Sequence, residues 1–386
     1  MTYARKRLWL GITGVGTTVL LCLAALLFDL PHRVIDPYVD SNFDTALAVI
    51  ALTWMLHAAV LFPLDVLGGL VVVREPAGAL RWFGAWLRGV TVQWIWFALA
   101  AALLLRTAQQ FGLTKALLVF ILLQLVLLSR QGVMAWLVGG LHVRAPSDAL
   151  KSAAGEAGWP GAAVREIESA EPSFVGGWSG IDAKKLWVPA RWVEQLTPEQ
   201  LMVALQRRVA VRTLGLRRRG VLVAVAWNTV GFTLAAGAPR ADLVTAAGFI
   251  TTMAWFTLWS FVGVLVLPTV SRAAVFTADR IARRTHDAAV VGATIAQLDA
   301  WQDDEAERGE KVETIFHPVP SRGSRLRALD HVGAEASENA GATTAAGAWH
   351  ATRMMLFLSW AGLGGLARAV HCNIGRPAVW VMLPGD

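Results

Sequence analysis

The chain has 386 residues, of which 55% are hydrophobic and 18 are tryptophan, and its mean hydropathy is +0.49. This apolar content exceeds what a soluble domain of this length needs, so the composition indicates a multi-pass membrane protein. The net charge is +7 and the isoelectric point is near 10. The cations are spread over many loops without interleaved aromatic residues, so we expect no nucleic-acid partner. Two cysteines exclude a disulfide framework and a four-cysteine metal site.

Six apolar segments are long enough to cross a bilayer, whose hydrocarbon core needs about 20 mostly apolar residues per helix. They lie near residues 8–28, 45–63, 89–105, 112–128, 220–237 and 244–267. The first segment is long and lacks a convincing cleavage site, so we interpret it as an uncleaved anchor. The sequence therefore predicts a mostly α-helical protein with six transmembrane helices in a lipid bilayer.

Lysine and arginine concentrate in alternate loops, and short basic loops are retained on the cytoplasmic side of a membrane. Basic residues precede the first span at 5–7 and follow the second span at 74–88. The loop 29–44 instead has one arginine against four aspartates. We therefore expect a multi-pass protein of the cell membrane with both termini in the cytoplasm.

Two polar regions remain outside the spans, and they suggest how the chain divides into domains. We expect a four-helix N-terminal membrane region over 1–141 and a transmembrane hairpin over 220–267. Residues 142–219 and 268–386 would then form the two parts of one cytoplasmic domain, the second part including the C-terminal tail. An oligomer is compatible with the sequence.

The segment LTPEQLMVALQRRVAVRTLG, residues 196–215, has the start and stop signals of a helix. Thr197 is a good N-cap, and Pro198 suits the first helical position. Apolar residues recur behind them at helical spacing. Gly215 can end the helix before the basic run 217–219. The sequence therefore predicts a helix between Thr197 and Gly215.

The surrounding segments occur in an order that resembles a known family. Upstream, SFVGGWSGIDAKKLWVPARWVEQL predicts a strand pair that leads into this helix. Downstream come the transmembrane hairpin, SRAAVFTADRIARR from Ser271, and HPVPSRGSRLRAL from His317. This order resembles the membrane-embedded gluzincin zinc metallopeptidases, the family of the CAAX prenyl endopeptidases and the heat-shock protease HtpX. The resemblance covers residues 173–329 and leaves the first four spans outside.

The resemblance implies a cytoplasmic α+β metallopeptidase-like domain with a small sheet. In the family, an H-E-x-x-H helix precedes the hairpin, and a helix of the form S-R-x-x-E-x-x-A-D supplies a third zinc ligand. Carried over to this chain, the two histidines fall on Arg207 and Val211, the catalytic glutamate on Arg208, and the third ligand on Val275. None of these side chains can bind zinc, because zinc needs lone pairs from imidazole, thiolate or carboxylate.

This conclusion does not depend on the exact alignment. No histidine occurs between His142 and His286, and no glutamate between Glu199 and Glu305. A shift of the helix along the motif therefore restores no ligand. We expect the zinc site to be lost and the chain to carry no cofactor.

Other residues of the family pattern are kept, namely Ser271, Arg272, Ala278, Asp279, His317, Pro318 and Arg325. The resemblance implies that the aspartate at position 279 orients a ligating histidine in the active enzymes. We hypothesise that Arg207 or Arg208 occupies the space of the missing metal and pairs with Asp279. The alternative is that both arginines are solvated charges near the membrane.

These features favour a catalytically inactive pseudopeptidase, not an enzyme, that binds a polypeptide or a partner membrane protein as a scaffold or regulator. The extended segment near 186–189 would offer an edge for strand addition by a peptide. One alternative is an active membrane zinc metalloendopeptidase with non-standard ligands. Another is a transporter or an unrelated membrane scaffold, which predicts charges within discontinuous spans.

A few further residues have competing interpretations. A different metal site could be composed of His317, His350, His371 and Cys372, but their spacing matches no known ligand pattern. Asp65 and Arg130 lie where spans end, which favours anchors at the membrane interface over functional intramembrane charges. GWSG at 177–180 is interpreted as a turn beside the cleft, since it lacks the second glycine of a nucleophile elbow.

Overall fold

A computed structural model of the chain describes residues 2–38, 42–75, 78–169, 171, 173–270, 272–302, 305–309, 313, 319–330, 348–370 and 373–382. These residues are mostly α-helical and include a small mixed sheet. The chain forms two compact units. The helical unit comprises Met1–Gly140, Val225–Gly263 and Met355–Met382, and the mixed unit comprises Leu141–Ala224, Val264–Met354 and Leu383–Asp386.

The helices divide into long apolar spans and shorter helices. In chain order they are α1 (Tyr3–Leu27), α2 (Leu30–Ile35), α3 (Phe43–Val66), α4 (Ala79–Ser129), α5 (Gln131–Gly139), α6 (Asp148–Glu156), α7 (Ala190–Gln195), α8 (Pro198–Thr213), α9 (Leu216–Ala236), α10 (Ala246–Val266), α11 (Arg272–Thr285), α12 (Ala288–Trp301), α13 (Arg322–Asp330) and α14 (Ala348–Leu358).

Five of the described helices are long and apolar enough to cross a membrane, namely α1, α3 with its continuation to Val71, α4, α9 and α10. Helix α4 has 51 residues and is interrupted at Gly112, where φ is 77° and ψ is 176°. Glycine adopts this backbone conformation without a steric penalty. The interruption divides α4 into two spans, so the prediction of six transmembrane helices is confirmed.

The sheet of the mixed unit contains four strands, β1 (His142–Arg144), β2 (Val164–Glu168), β3 (Gly177–Ser179) and β4 (Lys185–Pro189). Their spatial order is β1-β2-β4-β3, with β2 and β4 parallel and the other pairs antiparallel. Both edges of β4 are therefore occupied, by β2 along Leu186–Pro189 and by β3 along Lys185–Trp187. The expectation that residues 186–189 offer a free edge is wrong, because GWS forms β3 instead of the predicted turn.

Helix α8 begins as its sequence predicts. The Thr197 hydroxyl accepts a hydrogen bond from the Gln200 backbone N–H, and the Gln200 side chain accepts one from the Thr197 N–H. This reciprocal pair is a capping box, which satisfies two backbone donors at the helix start. Leu201 and Leu205 of α8 then pack with Trp178, Leu186 and other buried residues in the core of the mixed unit.

The C-terminal segment (residues 355–382) belongs to the helical unit. It was expected to form part of the cytoplasmic domain with 268–354, so the division differs from the predicted one over these residues. Ile374 and Trp380 are buried, and the indole N–H of Trp82 donates to the carbonyl of Gly375 at 2.8 Å. The apolar and aromatic side chains of this segment therefore help to fill the interior of the helical unit.

Candidate functional site

Helices α8 and α11 meet in the mixed unit at the positions that the sequence analysis singled out. Arg207 and Val211 are four residues apart, so they lie on one face of α8. Val211 packs in one apolar cluster with Ala274 and Ala278 of α11. Asp279 follows directly on α11, and the two helices thus bring Arg207 and Asp279 together.

The Arg207 side chain forms a buried ion pair with Asp279. Its Nε donates a hydrogen bond to Asp279 Oδ1 at 2.7 Å. The two residues are only 1% exposed. The solvated-surface interpretation of Arg207 is therefore wrong, because the side chain is enclosed by the two helices and has a carboxylate partner.

A second guanidinium reaches the same carboxylate from α13. Arg325 Nε donates to Asp279 Oδ2 at 2.8 Å, and Arg325 Nη2 donates to Asp279 Oδ1 at 2.8 Å. We call Arg207, Asp279 and Arg325 the charge triad. Charge-assisted, bidentate hydrogen bonds of this kind fix the relative positions of the groups that make them. The triad joins three helices, one of which precedes the transmembrane hairpin and two of which follow it.

Arg208 points away from the triad and toward the sheet. Its Nη2 donates to the Val175 carbonyl at 3.0 Å, and its guanidinium lies 5.2 Å from the centre of the Trp192 ring. The Arg208 backbone carbonyl accepts a hydrogen bond from the Trp178 indole. Of the two arginines that the sequence offered as partners for Asp279, Arg207 is the one that pairs with it.

Two further arginines extend the contacts that Arg208 begins. Arg212 Nε donates to the Ala183 carbonyl at 2.9 Å, and its guanidinium lies 4.1 Å from the Trp159 ring centre. Arg217 donates to the carbonyls of Gly180 and Ile181. Arginines at 208, 212 and 217 therefore hold the backbone of residues 175–183. This role was not predicted from the sequence, because no local pattern shows which backbone carbonyls and indole rings these arginines reach.

The remaining two carried-over positions hold buried apolar side chains. Val211 and Val275 are both buried. Val275 lies one helical turn before Asp279 on α11, at the position of the family's third ligand. The donor set at the four positions therefore does not fit zinc, because two protonated guanidinium groups and two hydrocarbon side chains offer no lone pair.

Among the residues that the structure describes, no group of three or more histidine, cysteine, aspartate or glutamate side chains is placed to hold a metal ion. His317, Pro318, Ser271, His371 and Cys372 lie outside the described residues, as do the side chains of Arg272 and His350. The alternative metal site proposed from these histidines stays a prediction.

A second buried carboxylate lies in the helical unit. Asp65 is 1% exposed and forms an ion pair with Arg368. It also accepts hydrogen bonds from the Trp86 indole at 2.9 Å and from the Gly375 backbone N–H at 2.8 Å. The interpretation of Asp65 as an interface anchor is wrong, because the C-terminal segment covers it. Arg130 is exposed at the end of α4, which agrees with an anchor.

Comparison with known proteins finds similarity in structure but not in sequence. The sequence matches no protein-family model and no curated protein. The structure is similar to the crystal structure of S. mikatae Ste24p, with a TM-score of 0.62, 14% sequence identity, and coverage of 74% of this chain and 75% of that chain. Ste24p is a membrane zinc metallopeptidase, a CAAX protease. This chain is a multi-pass membrane protein that shares the Ste24p fold.

Proposed function

We propose that this chain is a catalytically inactive membrane pseudopeptidase that binds a polypeptide or a partner membrane protein as a scaffold or regulator. The observation that carries the proposal is the Arg207 guanidinium bonded to Asp279. A cationic side chain thereby joins the two helices that carry the zinc-ligand positions of the resembled family. Loss of the zinc site, and with it any cofactor, is part of this proposal.

The electrostatics of the charge triad support inactivity independently of the missing ligands. The triad contains two guanidinium groups, which stay protonated in proteins and offer only hydrogen-bond donors. A divalent cation placed beside them would be repelled. A zinc-bound water, whose lowered pKa drives hydrolysis in active metallopeptidases, would have no support here.

The alternative function is an active membrane zinc metalloendopeptidase with non-standard ligands, which the shared fold with Ste24p favours. A peptidase assay on the purified full chain in detergent separates the two. We expect no cleavage of unfolded membrane-protein substrates above the level of a buffer control. Cleavage that a zinc chelator abolishes and added zinc restores would contradict the proposal.

A transporter is the remaining alternative, and the buried Asp65 and Arg368 in the helical unit are the charges that it would require. Asp65, however, already accepts hydrogen bonds from an indole and a backbone N–H as well as from Arg368. This arrangement favours a structural role for the pair.

We also propose that both termini face the cytoplasm. Single cysteines introduced at Thr2 and at Gly237 would test this proposal, because a membrane-impermeant label should reach them from opposite sides of the membrane.

A further inference from the structure

A groove of about 430 Å³ lies in the mixed unit between α6 and the start of α8. It is separate from the charge triad, whose three residues do not line it. The free edge that a peptide was expected to use on β4 is occupied by β3. The groove is therefore a different candidate for the polypeptide contact that the proposed function requires.

The floor of the groove is apolar and continuous with the core of the mixed unit. Ala153, Leu196 and Leu201 are buried core residues, and Val193 and Met202 pack against that core while remaining partly exposed. An apolar side chain placed here would lose its contact with water and pack against the fixed side chains of a folded domain.

The rim of the groove is acidic. Glu156 at the end of α6 and Glu199 in the first turn of α8 line it, and both are exposed. No lysine or arginine of the described chain lines it, although the protein has 35 such residues. The groove thus presents negative charge on a protein whose net charge is +7. Such local charge selects cationic partners and steers their approach.

A polar group also lines the groove. The Nε2 atom of His286 is buried, and it has no hydrogen-bond partner within the described part of the chain. A buried ring nitrogen without a partner costs free energy, which a hydrogen bond to an occupant would recover.

We infer that this groove binds a polypeptide segment that combines an apolar side chain with a lysine or arginine. The apolar side chain lies on the floor, the cation lies beside Glu156 and Glu199, and a polar group of the segment bonds His286. The inference rests on the proposed function, whose polypeptide partner it describes by chemistry and position.

The test uses the full chain in nanodiscs of zwitterionic lipid and a short fluorescein-labelled peptide that contains leucine and lysine among glycine and serine. We expect saturable binding by fluorescence anisotropy, and no binding when glutamate replaces the lysines. Charge reversal of both rim residues, Glu156→Lys with Glu199→Lys, should weaken binding by about tenfold or more, because like charges now face the peptide.

Two variants serve as a blocking test and a control. Ser152→Trp places a large side chain at an exposed position that lines the groove, and it should also abolish binding. Asp182→Lys reverses one acidic charge at an exposed site outside the groove and should leave binding unchanged, whereas each single reversal at the rim, Glu156→Lys or Glu199→Lys, should weaken it. The inference is overturned if the lysine peptide fails to bind, if empty nanodiscs bind it equally, or if the groove variants bind like the wild type. Peptidase activity would instead contradict the proposed function and leave this result unaffected.

Discussion

Two buried aspartates organise the two units of this protein, and they do so with different partners. Asp279 in the mixed unit accepts hydrogen bonds from two guanidinium groups, those of Arg207 and Arg325. Asp65 in the helical unit has one guanidinium partner, Arg368, and neutral donors from Trp86 and Gly375. A buried carboxylate can therefore join chain segments that are far apart in sequence, whether its main partners are charged or neutral.

The largest effect should follow from removing the carboxylate of Asp279. Asp279→Ala leaves two buried cations without their shared anion, and breaking a buried ion pair costs about 3–5 kcal/mol. We expect a markedly lower thermal unfolding midpoint in detergent, followed by circular dichroism. Asp182→Asn, at an exposed aspartate, should leave the midpoint unchanged. An unaltered midpoint for Asp279→Ala would show that the triad does not hold the helices together.

Replacing all three charged residues of the triad by apolar residues separates the effect of uncompensated charge from the effect of packing. The combined change Arg207→Met, Asp279→Leu and Arg325→Met removes all three charges together. Whole buried ion pairs can often be replaced by apolar residues at little cost in stability. The triple variant should therefore unfold at a higher temperature than Asp279→Ala. If it does not, the loss in Asp279→Ala came from packing and not from uncompensated charge.

Removing the charge of Asp65 should have a smaller effect, because one cation instead of two loses its partner. Asp65→Asn keeps an oxygen that can accept from Trp86 or Gly375, so we expect a loss of about 2–3 kcal/mol. The same thermal measurement tests it, again with the exposed Asp182→Asn as the control. A loss larger than that of Asp279→Ala would reverse the ranking of the two sites.

Weakening the hydrogen bonds between Arg325 and Asp279 should lower the thermal unfolding midpoint by a still smaller amount. Arg325→Lys keeps the charge but replaces donation to both carboxylate oxygens by a single ammonium group. We expect a loss of about 1–2 kcal/mol in the same assay. Arg327→Lys changes an exposed arginine on the same helix and should be neutral. Equal midpoints for the two variants would contradict a role for the bidentate geometry.

The pair of partly buried His32 and exposed Asp36 provides the smallest effect and a contrast with both buried sites. Burial lowers the pKa of His32, but the hydrogen bond and charge of Asp36, the hydrogen bond to the Arg240 carbonyl and the charge of Asp29 together raise the pKa above its usual value. This stabilisation is therefore present at low pH and is lost as pH rises through the raised pKa. Asp36→Asn should lower the pKa of His32, as measured by NMR titration of its imidazole. An unchanged pKa would assign the shift to another group.

The sequence predicted those parts of the fold that depend on local patterns. The six spans follow from apolar runs, and α8 follows from Thr197, Pro198 and the spacing of its apolar residues. The antiparallel pair of β3 and β4 lies in the segment that was predicted to form a strand pair before α8. The parallel pairing of β4 with β2 was not predicted, because no local signal specifies the register of strands that are distant in sequence. Residues 177–179 form a strand, although a turn was expected at 177–180.

The candidate site was also predicted only in part. The resemblance to a family with fixed motif spacing brought Arg207 and Asp279 into one hypothesis, and Arg325 was identified as a kept family position without a stated contact. Asp65 was misinterpreted, because its partner Arg368 lies about 300 residues away in a segment without a motif. The contacts of Arg208 and Arg212 with tryptophans were likewise invisible, since they depend on how the sheet packs against α8.

The central claim is that the four carried-over positions have lost the capacity to bind zinc. The most direct test is the metal content of the full chain. The protein is purified without chelator, dialysed first against a zinc salt and then against zinc-free buffer, and analysed by plasma mass spectrometry. The account predicts no stoichiometric zinc in the wild type. Tightly bound zinc at one ion per chain, and its loss on substitution of residues near Asp279, would contradict it.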